Sequence, residues 1–111
     1  MAGVKEYPDI IKRLLMEYAN IPRAYGQIEM ETIFDDAQQR YELLAVGWDG
    51  RRRVHGCVIH LDIKGEKVWL QHDSTDAKIA EQLVEMGISK DRLVLGFQPE
   101  HVRPDTGFAV N

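Results

Sequence analysis

Three side chains that can do chemistry fall into one row if the chain reverses twice in tight turns. Two-residue turns at Asp49-Gly50 and Lys64-Gly65 would set Glu42 opposite Cys57 and Cys57 opposite His72. A thiol beside an imidazole can ionise, and a carboxylate beyond the imidazole would orient it. Here the thiol lies in the middle, so the carboxylate would raise its pKa. We therefore expect Cys57 to be a small buried hydrophobe and not a nucleophile.

The same register could bring His55, Cys57 and His72 near one another, and His60 and Asp62 share a second face. Protein metal sites normally use closely spaced ligand pairs, and neither C-x₂-C nor H-x₃-H occurs. No glycine-rich phosphate loop is present either. The sequence predicts no catalytic residues, no metal and no cofactor, and hence a protein that is not an enzyme.

The elements that would position these residues follow from periodicity. An apolar stripe predicts a helix over about Val4–Ala19, with members Tyr7, Ile10, Ile11, Leu14, Leu15 and Tyr18. Strands are predicted near 27–34, 40–48, 51–63 and 66–72, joined as a meander. A second helix carries Ile79 and Leu83 and ends at Gly87. The apolar run Leu93–Phe97 predicts a further strand. We expect an α+β two-layer sandwich: helix, four-stranded antiparallel meander, helix, C-terminal strand.

Alternation assigns side chains to two faces of this sheet. The predicted core face consists of Leu44, Val46, Trp48, Ile59, Leu61, Ile63, Val68 and Leu70. The predicted outer face holds Tyr41, Leu43, Val54, Val58, His60 and Trp69 among charged residues. Such a half-apolar surface is covered either by the C-terminal segment or by another chain. We take Tyr41, Val58, His60 and Trp69 as the candidate partner interface.

Arginines form the one dense basic run. Arg51, Arg52 and Arg53 straddle the first turn, and Arg103 lies in the tail. They are candidate contacts to nucleic acid or to acidic residues of a partner. A solvated turn that resists aggregation is the alternative.

Composition bounds the class of protein. The 111 residues suit one domain, 1–111, and a net charge of −4 disfavours unaided binding to duplex DNA. A single cysteine fits a reducing compartment, and no apolar run is long enough to cross a membrane. We expect a cytoplasmic protein that does not enter membranes.

Five segments together resemble the XisI family of cyanobacterial excision-controlling factors: IIKRLLMEYA, GWDGRRRVHGCVIHLDIKGEKVWLQ, TDAKIAEQLVEMGI, RLVLGF and TGFAV. They cover nearly the whole chain in one order.

The resemblance implies a controlling factor for excision of the fdxN DNA element during heterocyst differentiation. Recombination chemistry would belong to a separate recombinase, with XisH-like protein as the partner and DNA contacted indirectly. The half-apolar outer face, and not the resemblance, adds a homo-oligomer to the expected assemblies. Two alternatives stay open: a subunit that neutralises a nuclease-like XisH partner, as in toxin–antitoxin pairs, and a weak module that binds nucleic acid directly.

Overall fold

The computed structural model describes residues 2–21 and 27–111. Helix α1 spans Tyr7–Ala19 and helix α2 spans Ile79–Glu85. The strands are β1 Gln27–Asp35, β2 Arg40–Asp49, β3 Arg52–Lys64, β4 Lys67–Asp73 and β5 Leu93–Leu95. They form one sheet in sequence order, with β1 to β4 antiparallel and β5 parallel to β4. The predicted α+β architecture is confirmed.

Both helices pack their apolar stripes on one face of the sheet, the core face. Pro8 lies in the first turn of α1, where its missing N–H has no helical acceptor to lose. The core contains, from the helices, Tyr7, Ile10, Ile11, Leu14, Leu15, Ile79, Ala80 and Leu83. From the strands it contains Tyr41, Leu43, Ile59, Leu61, Ile63, Val68, Leu70 and Leu93.

Helix α2 ends at Gly87, as the sequence predicts, and begins without a side-chain hydrogen bond at its N-cap. Gly87 has φ +118°, its N–H donates to Val84 O, and the Ile88 N–H donates to Leu83 O at 3.0 Å. These are the paired bonds of a Schellman motif. Before the helix, Asp73 Oδ1 accepts hydrogen bonds from the Thr75 N–H and hydroxyl, so this carboxylate stabilises a turn that precedes α2.

Both hairpins turn one residue later than expected. Asp49 pairs with Arg52, so Gly50 and Arg51 form the first loop, and Gly65 and Glu66 form the second. Each loop begins with a glycine at φ +63°, as a type II′ turn requires, whereas the predicted turns lay at Asp49-Gly50 and Lys64-Gly65. By itself this difference displaces each cross-strand partner by two positions, as for Trp48, Val46 and Leu44. It leaves each residue on its predicted side of the sheet.

One extra residue in β3, by contrast, changes which residues of β2 and β3 share a face of the sheet. Leu43 pairs with Ile59 while Leu44 pairs with Cys57, so Val58 has no partner on β2 and forms a β-bulge. The Val58 carbonyl instead accepts from the Ser74 N–H at 3.0 Å and from its hydroxyl at 3.2 Å.

The bulge corrects the predicted faces of β2. Tyr41 and Leu43 lie on the core face and are fully buried. Leu44, Val46 and Trp48 lie on the opposite side, which we call the outer face. Tyr41 was therefore wrongly placed on the candidate partner interface. Its phenol donates to Asp36 Oδ1 at 2.8 Å, and burial and this bond raise its pKa.

Gly47 provides a sharp test of the β1–β2 pairing. Its φ is +154°, and a Cβ there would lie 1.9 Å from Gln27 O. Gly47→Ala should therefore lower the free energy of unfolding by about 3 kcal/mol. Gly56→Ala is the matched control, because a Cβ at Gly56 meets nothing within 4 Å. Urea unfolding measures both, and equal effects would contradict the described pairing.

Candidate interaction surface

The outer face of the sheet is built from residues that alternate with the core. Pairing across β1, β2 and β3 arranges it in rows. The rows are Gln27–Trp48–Arg53, Glu29–Val46–His55, Glu31–Leu44–Cys57 and Ile33–Glu42–His60. Glu29 and Glu31 thus stand on β1, and Arg53 with two histidines stands on β3. Between them, β2 presents Trp48, Val46 and Leu44 in the first three rows and Glu42 in the fourth.

The C-terminal segment covers the other half of this face. Ala109 forms a parallel bridge to Val94, and its N–H donates to Leu93 O at 3.0 Å. Gly96 lets the chain pass close to Trp69, since a Cβ there would lie 3.1 Å from Trp69 Cε3. Cover by the C-terminal segment, one of the two alternatives predicted for this face, is therefore present, and among the described residues it reaches only β4 and β5.

Arg103 completes that cover instead of facing an outside ligand. Its guanidinium carbon lies 5.2 Å from the centre of the Trp69 ring, and Lys64 Nζ lies 5.1 Å from it. Arg103 also donates from Nε to Gln98 O at 3.1 Å and from Nη1 to Val110 O at 3.4 Å. Trp69 lies on the outer face as predicted, but its ring is engaged by its own chain.

The half of the outer face over β1 to β3 is not covered by any described residue. Trp48 and Ile33 are each 47% exposed, while Leu44 and Val46 are half-buried. Sequence reasoning had assigned the Leu44, Val46 and Trp48 side chains to the core. We call these three residues the β2 stripe.

His60 ties three strands together on the border between the two halves. Its Nε2 lies 2.8 Å from Asp62 Oδ1, and its Nδ1 lies 3.8 Å from Glu42 Oε1. Asp62 is buried, and its other oxygen accepts from Gln71 Nε2 at 3.3 Å. His60 thus lies on the outer face as predicted. Val58, by contrast, is the bulge residue, and its side chain packs against the core.

The predicted row of Glu42, Cys57 and His72 does not form. Glu42 pairs with His60 and His60 with His72, while Cys57 pairs with Leu44. Burial, and secondly the charge of Glu42, raise the pKa of the Cys57 thiol. Within residues 2–21 and 27–111, no three histidine, cysteine, aspartate or glutamate side chains are grouped to hold a metal ion.

The arginine run is exposed at the tip of the β2–β3 hairpin. Arg52 makes a 3.4 Å ion pair with Asp49, which is weak at such exposure. Arg53 donates to Gly47 O and lies 5.3 Å from the Trp48 ring. Arg51 has no ion pair with any described residue. We call Arg51, Arg52 and Arg53 the arginine tip.

The chain is similar to known proteins over almost its whole length. A family model described as XisI protein covers residues 1–110. The crystal structure of a XisI-like protein from Anabaena variabilis is 37% identical, with a TM-score of 0.86 over 97% of this chain and 99% of that one. The fdxN element excision controlling factor XisI from the same organism is 28% identical, with a TM-score of 0.82 over 97% and 98%. No curated protein matches. None of the described helices is both long and apolar enough to cross a membrane.

The raised pKa of Cys57 predicts slow alkylation. At neutral pH less thiolate is present in the folded chain than in the unfolded one, so iodoacetamide should label Cys57 more slowly before denaturation than after it. Glu42→Gln removes one cause of the raised pKa and should speed labelling of the folded protein. Glu17→Gln, on the exposed side of α1, should not. Faster labelling of the folded than of the unfolded wild type would contradict this reading.

Loss of the Arg103 guanidinium should uncover Trp69. In a Trp48→Phe background, which leaves one tryptophan, Arg103→Ala should increase quenching of Trp69 fluorescence by acrylamide. Arg13→Ala, an exposed arginine of α1, serves as the control. Unchanged quenching in Arg103→Ala would show that the tail does not depend on this contact.

Proposed function

We propose that this chain, which belongs to the XisI family, is a controlling factor for excision of a DNA element and acts by binding a XisH-like protein. The observation that carries the proposal is the likeness to the Anabaena variabilis excision controlling factor, which spans 97% of this chain. At 28% identity over almost the full length, the likeness extends beyond a shared fold.

The proposal assigns the recombination chemistry to another protein. A raised thiol pKa at Cys57 works against nucleophilic catalysis at neutral pH. His60 has both ring nitrogens turned toward carboxylates of its own chain. In this scheme Cys57 and His60 have structural roles within the sheet, and the controlling factor acts by binding its partner protein.

The arginine tip supplies that contact in the proposal. It lies exposed at the end of the β2–β3 hairpin, and planar guanidinium groups match carboxylates of a partner in a bidentate manner. Arg51 and Arg52 are the best placed to bind a partner, since neither would have to give up a contact with a buried residue of its own chain. Arg103 is left out because its guanidinium covers Trp69. Contact of Val58, His60 and Trp69 with a partner stays a prediction.

Co-expression with a XisH-like protein tests the proposal. The two chains should elute together from a size-exclusion column at micromolar concentration. Arg51→Glu with Arg52→Glu should abolish co-elution, because carboxylates would then face the acidic residues of the partner. Arg13→Glu with Lys5→Glu makes the same change of charge at the exposed surface near the N-terminus and should leave it intact. Separate elution of the wild-type pair would overturn the proposal.

Direct contact with nucleic acid is a second candidate, favoured by the same exposed arginines. A gel-shift assay at low salt distinguishes the two functions. If the chain alone shifts DNA and the tip variant does not, the arginines bind phosphates directly. If only the complex shifts DNA, the tip serves the protein partner.

A further inference from the structure

We infer that the uncovered half of the outer face is the contact between two copies of this chain, packed face to face about a twofold axis along β2. The inference is independent of the proposed function, since it concerns the chain by itself. It gives a role to the β2 stripe, which the tail leaves uncovered with Trp48 47% exposed.

The apolar component of the contact is the β2 stripe. Leu44, Val46 and Trp48 stand in line along one strand, so a copy related by an axis parallel to that strand would set the stripe on itself. Trp48 would be the main anchor, because it is large and 47% exposed. Its own Arg53 already covers one side of the ring.

The charges on β1 and β3 favour an axis along β2 over an axis that runs across the strands. A twofold axis along β2 sets β1 of one copy over β3 of the other. Glu29 then faces His55 of the second copy, and Arg53 of that copy lies in the neighbouring row. An axis running across the strands would set β1 on β1 and oppose Glu29 and Glu31 to the same residues of the second copy. Like charges in direct opposition disfavour that arrangement.

The contact ends at the row of Glu42. This carboxylate lies near His60 of its own chain, at 3.8 Å, and would meet its own counterpart if the contact continued. Three rows across three strands cover on the order of 400 Å² per copy, which is small for a specific interface. The dimer should therefore be weak, dissociating at tens of micromolar or above.

In this dimer the arginine tips of the two copies lie together. Because the axis runs parallel to β2, both hairpins of the dimer point the same way. The two tips, each with Arg51, Arg52 and Arg53, would stand side by side at one end. A partner that engages both would gain from the linked contacts.

Sedimentation equilibrium of the isolated chain tests the inference. Wild type should show reversible dimerisation, and Val46→Glu should raise the dissociation constant more than about tenfold because two carboxylates would meet near the axis. Thr32→Glu adds the same charge at an exposed position on the core-face side of β1 and should leave dimerisation unchanged. A wild type that stays monomeric at about 0.5 mM overturns the inference, as does equal dimerisation of Val46→Glu and wild type.

A charge exchange tests the direction of the axis. His55→Glu should weaken dimerisation because Glu29 of the second copy faces it, and adding Glu29→Lys should restore it. Both side chains are exposed, so neither change threatens folding. If the double variant dimerises no better than His55→Glu alone, the proposed axis is wrong.

Discussion

The insertion of Val58 into β3 is the constraint on which the rest of the molecule depends. This one residue, unpaired with β2, reverses the facing of everything before it in β3 relative to everything after it. The Ser74 N–H and hydroxyl hold the Val58 carbonyl, so the segment after β4 fixes the bulge. As a result Tyr41 is buried in the core, while Trp48 is turned to the outer face.

Much of the fold can be predicted because it rests on local chemistry. The stripe of α1, the meander and the Gly87 terminus each depend on residues close in sequence. The turns were predicted one residue too early, but that error alone does not change the faces, because a displacement by two preserves alternation. The bulge was missed although it has a sequence signal. Apolar residues change phase within β3, from Val54 and Val58 to Ile59 and Leu61, with two apolar residues adjacent at the change.

The candidate surface was harder to predict because it depends on long-range contacts. Sequence alone could place Trp69 opposite the core, but not that Gly96 and Arg103 would bring the tail over it. Because the tail packs over β4 and β5, the β2 stripe stays uncovered. The arginine tip needed only the hairpin, so its exposure could be predicted from the sequence.

The register around Val58 can be measured directly by nuclear Overhauser effects between backbone protons of β2 and β3. The account predicts cross-strand effects that join Leu44 to Cys57 and Leu43 to Ile59, with none between Val58 and β2. Effects joining Glu42 to Cys57 would contradict it. That result would return the β2 stripe to the core, and with it the uncovered face would disappear.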